Sequence, residues 1–134
     1  MLARIPSLPA GWSLARANAT RLPFQAAGFD VVLASYLLHL LDRPALRRAV
    51  GEMRRVTKPG GRVVTVTPVA PRSCLGWPYQ LTVAALAQLS DNSLGLRGMD
   101  PRQELVRHGL EPIKARYVHR GYPSLCVLAR ANAA

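Results

Sequence analysis

Few side chains in this sequence could do chemistry. Three histidines, two cysteines and seven carboxylates are available for acid–base, nucleophilic or metal work. Cys74 and Cys126 are too few and too far apart for a zinc site or a disulfide framework, and neither lies in a Cys-x-x-Cys pair. No Ser/His/Asp arrangement, paired carboxylates or metal-ligand spacing stands out, so neither a nucleophilic triad nor a metal centre is expected. His39 sits between Leu38 and Leu40, just after an apolar run. It reads first as a buried, hydrogen-bonded structural histidine and second as a general base. Asn18 opens the turn-like run Asn18-Ala19-Thr20-Arg21-Leu22-Pro23-Phe24, where asparagine is at home as a plain turn residue. Tyr36 reads as a half-buried packing residue, and Trp77 and Tyr79 flank a proline corner that either packs or meets a ligand.

The domain that must hold these residues is small. With 134 residues, 49% of them apolar and 19% charged, the chain can bury one core, which excludes both a multidomain enzyme and a disordered segment. It is strongly basic: 18 Lys plus Arg against 7 Asp plus Glu give +11. Such an excess speeds encounters with any polyanion. The blander reading is a set of arginines spread over solvated faces, since no four basic residues are adjacent, and nucleic acid is not the expected ligand. Met1 to Gly11 carries two prolines and no continuous apolar core, so it is not read as a secretory signal. Val31 to Leu41 is about half the length a membrane crossing needs, and Ser73 to Ser90 is interrupted by Gly76, Pro78, Gln80 and Gln88. No transmembrane helix is expected, and a reducing cytoplasm is the default compartment.

The element order follows from periodicity. Ser13 to Ala17 is a short extended candidate, and Phe29 to Ala34 suits a strand buried on both faces of a parallel sheet. From Pro44 to Thr57, Leu46, Ala49, Val50, Met53 and Val56 recur at helical spacing, with Arg47, Arg48, Glu52, Arg54 and Arg55 on the other side. Lys58-Pro59-Gly60-Gly61 ends that helix, and Arg62 to Thr67 reads as a second buried strand, which completes a βαβ unit. Leu81 to Leu89 suggests a further helix. Pro101 to His108 reads as a short helix with Asp100 as N-cap and Gly109 after its end. Ile113 to Arg120 and Ser124 to Arg130 form an expected antiparallel hairpin around Gly121-Tyr122-Pro123.

The Asn18 to Phe24 run, Phe29-Asp30-Val31-Val32, Leu38-His39-Leu40 and Arg54-Arg55-Val56-Thr57-Lys58-Pro59-Gly60-Gly61-Arg62 fall in an order that resembles class I S-adenosylmethionine-dependent methyltransferases. The nearest subgroup is the small-molecule enzymes of ubiquinone and menaquinone biosynthesis. That resemblance implies an α/β, partial Rossmann-like sheet built from the family's strands three, four, five, seven and six, in a family order of 3-2-1-4-5-7-6. Strands one and two are absent from this picture, and the C-terminal strands make a mixed sheet with an antiparallel hairpin. Residues 1–134 are expected as a single, truncated domain, with 73–98 as a substrate-cap-like insertion. Met1-Leu2-Ala3-Arg4 resembles the interior of the helix that follows the family's second strand, so the chain is expected to begin there.

The resemblance also implies a cofactor and its contacts. S-adenosylmethionine is the expected methyl donor. Asn18 stands where the family usually places an Asp that accepts from the adenine amino group, and an amide oxygen accepts the same bond. The Ala19 N–H would meet an adenine ring nitrogen, and Ser35 and Tyr36 would face the methionine part, with the Tyr36 ring near the sulfonium. Trp77 and Tyr79 fall in the family's variable acceptor region. Gly60-Gly61 follows a helix and precedes a strand, which is the wrong context for the Gly-rich cofactor turn.

Methyl transfer of this kind is an in-line displacement at an activated carbon, so the protein mainly aligns donor and acceptor and excludes water. For an oxygen acceptor, His39 is the residue named as base. The implied activity is methyl transfer to a small-molecule or lipid-like acceptor, impaired in this chain alone by the missing Gly-rich loop. The alternative is a non-catalytic relative acting as a partner subunit or as a basic nucleic-acid-binding surface. With two strands absent, the Phe29 to Ala34 edge is expected to join a homo-oligomer or to capture Ser13 to Ala17.

Overall fold

The β-branched run at Phe29–Ser35 forms strand β1, as its composition predicts. It belongs to a computed structural model that describes residues 8–69, 99–118 and 123–133. A single 3-10 turn at Leu38–Leu40 leads into α1, Arg43–Val56. The Asp42 side chain caps α1 by accepting from the Ala45 N–H at 2.7 Å, and Pro44 lies in the first turn, where its missing N–H costs nothing. Strand β2, Thr57–Pro68, follows without a separate turn. Then come α2, Arg102–Arg107, and the hairpin of β3, Leu110–Val118, with β4, Ser124–Ala131.

The sheet order is β1-β2-β4-β3. β1 runs parallel to β2, while β2 with β4 and β4 with β3 are antiparallel. Side chains alternate between the two faces. One face carries Ala34, Val63, Val127 and Ala129, packed with Val50 and Met53 of α1 and Leu105 of α2 in one core cluster. Fully buried Leu38, Leu105 and Leu110 each contribute roughly 1.5–3 kcal/mol by leaving water. On the opposite face Val31 and Leu33 are 55% and 64% exposed, and Val64, Val66 and Leu128 are half-buried. Among the described residues, the core lies on the helix side alone.

Phe29 to Ala34 forms its strand but is not buried on both faces, since the described residues cover its helix side alone, and four further expectations are corrected. Ser13 to Ala17 forms no strand, and all five residues are exposed. In the expected order its place lies beyond two further strands, and among the described residues no strand stands there to pair with its backbone. Nor does it move over to β1, which among the described residues pairs with β2 alone. Secondly, Pro101 takes the N-cap position of α2. Asp100 still accepts from the Arg102 N–H at 3.1 Å, one residue out of the expected place. Thirdly, α1 ends at Val56, and Thr57 already pairs with Phe29. Finally, Lys58 to Gly61 is a bulge inside β2, between the pairs Phe29 with Thr57 and Val31 with Arg62. Gly60 supplies the positive φ of 72° that this detour requires. Leu81 to Leu89, the 73–98 insertion and the turn at Gly121-Tyr122 lie outside the described residues.

Candidate functional site

The parallel strands β1 and β2 end side by side, with Ser35 opposite Val66. There the chain leaves β1 through Tyr36, whose φ of 49° is left-handed, a conformation uncommon for a bulky side chain. Its N–H donates to the Val66 carbonyl at 2.8 Å, and its hydroxyl shares a 2.6 Å hydrogen bond with the Ser124 hydroxyl at the start of β4. Both ends of the residue are therefore fixed, while 42% of it stays exposed. The Ser35 hydroxyl has no partner among the described residues.

His39 meets the Tyr36 ring edge-on, with centroids 6.3 Å apart and planes at 88°. The expected structural histidine is only half present. It is half-buried, but its buried Nδ1 has no hydrogen-bond partner among the described residues. Burial pushes its pKa below the ordinary 6.5, because charging the ring would cost solvation. The ring is therefore neutral near pH 7 and able to accept a proton.

Asn18 sits in a side-chain turn. Its Oδ1 accepts from the Thr20 N–H and from the Thr20 hydroxyl, both at 2.9 Å, and its carbonyl accepts from the Arg21 N–H. The half-buried Ala19 has an N–H with no partner among the described residues. Just downstream, a carboxylate–guanidinium pair clamps the loop. Glu52 accepts from the Leu22 N–H at 2.7 Å, and Arg55 donates to the carbonyls of Phe24 and Leu22 at 2.9 and 3.1 Å. Arg55 also holds Glu52 through Nε at 2.7 Å. That bond, with the Leu22 N–H, lowers the Glu52 pKa from 4.5 to about 2. The Ala27 N–H donates to the Arg55 carbonyl, and Phe24 stacks edge-on with Phe29 at 5.2 Å.

Sequence reasoning placed Glu52 and Arg55 on a solvated face and missed this clamp. The available signal was their i, i+3 spacing beside a loop with unpaired backbone groups. Trp77 and Tyr79 lie outside the described residues. Among the described residues no group of three or more His, Cys, Asp or Glu gathers into a metal site, and no helix is long and apolar enough to cross a membrane.

A family model described as a methyltransferase domain matches residues 2–65. A demethylmenaquinone methyltransferase from Renibacterium salmoninarum is 47% identical over 47 residues, which are 35% of this chain and 19% of that protein. In fold, the chain is similar to an S-adenosylmethionine-dependent methyltransferase from Methanosarcina mazei, with a TM-score of 0.64 at 19% identity over 88% of this chain and 66% of that one. This chain is thus similar to a methyltransferase domain over residues 2–65, and in fold to S-adenosylmethionine-dependent methyltransferases. The 1,6-didemethyltoxoflavin-N1-methyltransferase from Burkholderia thailandensis shares the fold, with a TM-score of 0.60 at 16% identity over 85% of this chain and 48% of that one. That structure holds S-adenosylhomocysteine. The observed order β1-β2-β4-β3 follows the 4-5-7-6 part of the expected methyltransferase sheet. The match to the Renibacterium enzyme spans about a fifth of its length.

The residues expected to hold S-adenosylmethionine have a chemistry compatible with two ends of that cofactor. Ala19 offers an N–H without a partner among the described residues, and Ser35 and the exposed part of Tyr36 offer a hydroxyl and a ring at the strand ends. Asn18 would have to release the Thr20 hydroxyl to accept from an adenine amino group, because an amide oxygen has two lone pairs and both are engaged. A strand-to-helix Gly-rich turn is not found in the sequence.

Proposed function

We propose that this chain takes part in methyl transfer from S-adenosylmethionine to a small-molecule or lipid-like acceptor. It would hold the adenine edge through Asn18 and Ala19, and the methionine end through Ser35 and Tyr36. The observation that carries this reading is Tyr36, a bulky residue kept in a left-handed conformation at the end of β1 by bonds to Val66 and Ser124. Such an outlier persists only where its surroundings over-determine it, and those positions cluster at ligand sites. When bound, the cofactor supplies a methyl group on a positively charged sulfur, next to which an aromatic ring is stabilising. His39, neutral and in contact with the Tyr36 ring, would take the proton of an oxygen acceptor. Trp77 and Tyr79 remain the proposed acceptor contacts, and a cytoplasmic setting suits the free thiol of Cys126.

The test is a titration of the isotope-labelled chain with S-adenosylhomocysteine. We expect saturable amide shifts at Ala19, Ser35 and Tyr36 with weak affinity. Without a Gly-rich turn and a ribose acid, each set of lost bonds costs about 1.5–3 kcal/mol, a combined loss of at least about a hundredfold. Shifts confined to other regions would overturn the assignment of these residues. Low-micromolar affinity would overturn the argument for impairment.

A second reading, a partner subunit that works by association, is favoured by one observation. The outer edge of β1 pairs with no strand among the described residues and carries Val31 and Leu33 well exposed. The Tyr36 N–H turns toward β2, so by alternation the backbone groups of Val31, Leu33 and Ser35 turn outward. Such an edge is self-complementary, because an antiparallel second copy satisfies the outward donors and acceptors of both strands.

A further inference from the structure

We propose that the cleft between the start of α1 and α2 binds the oxyanion of a small organic molecule, a carboxylate or a phosphate carried on an apolar body. The cleft has a volume of about 320 Å³, enough for a small ligand. Its charged lining is Arg43, Arg47 and Arg107 against Asp100 and Glu104. Asp100 is already engaged by Arg102, which does not line this cleft. Glu104, almost fully buried, sits 3.1 Å from Arg107 and 3.6 Å from Arg47, and so braces two guanidinium groups beside one another. It uses only one nitrogen of each, and its third contact is His108 at 3.5 Å.

The donors left over exceed the acceptors. Arg43 makes no hydrogen bond or ion pair among the described residues, whereas the one acceptor left over on the carboxylates' side is the buried Glu104 Oε1, which has ion-pair contacts but no hydrogen bond there; the buried Nδ1 of His39, also without a partner among the described residues, can act either way. A guanidinium presents its N–H groups as a planar fork that matches the two oxygens of a carboxylate or phosphate. A ligand that only accepts hydrogen bonds and carries negative charge is therefore what this wall selects. The remaining lining, Leu41, Leu46 and Met99, gives the apolar body a surface to cover. As the place for the methyl acceptor this rests on the function proposed above, since His39 joins the cleft to Tyr36. As an anion site it stands without it.

The test titrates the isotope-labelled full chain with phenyl phosphate, benzoate, inorganic phosphate and the neutral benzyl alcohol. Saturable binding of phenyl phosphate or benzoate is expected, with amide shifts at Arg43, Arg47 and Gln103. The tighter of the two identifies the headgroup. Inorganic phosphate and benzyl alcohol should each bind at least about tenfold more weakly, since each lacks half of the recognition. Arg43→Gln and Arg47→Gln should each weaken binding about tenfold, and Arg43 is exposed, with no hydrogen bond or ion pair among the described residues whose loss could unfold the chain. Arg48→Gln, on α1 but outside the lining, should change nothing. Equal binding of benzyl alcohol, shifts away from the cleft, no saturable binding, or unchanged affinity in Arg43→Gln and Arg47→Gln would each overturn the proposal. The S-adenosylhomocysteine titration reads Ala19 and Tyr36 instead, so the two readings fail separately.

Discussion

The hydroxyls of Tyr36 and Ser124 lie 2.6 Å apart across 88 positions of sequence, tying the end of β1 to the start of β4 over the end of β2. The same residue donates its N–H to Val66 of β2. Three strands thus converge on one residue, and the left-handed backbone of Tyr36 is held from both ends.

This pair should be measurable as a coupling. Tyr36→Phe and Ser124→Ala are each expected to cost about 0.5–1.5 kcal/mol in denaturant unfolding, and the double variant less than their sum. Additive costs would mean that the two hydroxyls act independently.

How far the sequence announced this arrangement depends on the range of the interactions involved. The amphipathic spacing of Leu46, Val50 and Met53 and the apolar run of β1 are local patterns, and both elements appear within a residue or two of their expected ends. The hairpin of β3 and β4 was legible from two strand-like runs set on either side of Gly121-Tyr122-Pro123. Ser13 to Ala17 failed because a strand exists only through its neighbours, and local propensity says nothing about a missing partner. Tyr36 and His39 were legible as positions, whereas the Ser124 anchor, 88 residues away, left no local trace. The Glu52–Arg55 clamp was hidden similarly, because charged residues opposite a helix's apolar stripe normally face water.

The bulge in β2 makes a sharper prediction. A Cβ built on Gly61 lies 2.8 Å from the Lys58 carbonyl oxygen and 3.0 Å from that of Asp30, both backbone atoms that cannot swing aside. Gly61→Ala should cost about 1–3 kcal/mol through overpacking. At Gly60 nothing lies within 4 Å of the added carbon, and only the positive φ resists, so Gly60→Ala should cost about 1 kcal/mol. Thermal unfolding of the two variants orders them. Equal losses would mean that the register across the bulge is not as described.

Acid stability should fall in two separable windows. The Glu52 carboxyl is held near 2 against an ordinary 4.5, so its stabilisation is complete above 4.5 and is lost as pH falls toward 2. Glu52→Gln should be less stable at neutral pH and lose this part of the acid profile. His39 behaves differently, since burial lowers its pKa below 6.5 and the unfolded chain takes up the proton first. Its contribution is complete above 6.5 and declines as pH falls below that value, levelling off once the folded ring is protonated too. His39→Gln should flatten the upper window and leave the lower one intact. Urea unfolding across this pH range checks both, and a profile identical in all three proteins would refute the assignment of either group.

The open edge of β1 makes the last prediction. Val31 and Leu33 expose 55% and 64% of their surface on a strand whose outward backbone groups have no partner among the described residues. A second copy lying antiparallel would extend the four-stranded sheet to eight and continue the half-buried Val64, Val66 and Leu128 into one shared apolar face. Sedimentation should therefore show a concentration-dependent dimer, and amides at Val31 and Leu33 should exchange more slowly as concentration rises. Leu33→Lys puts a charge on the edge without entering the helix-side core, so it should yield a folded monomer. A wild-type monomer at every concentration, with Val31 and Leu33 amides exchanging freely, would show that this edge meets water rather than another chain.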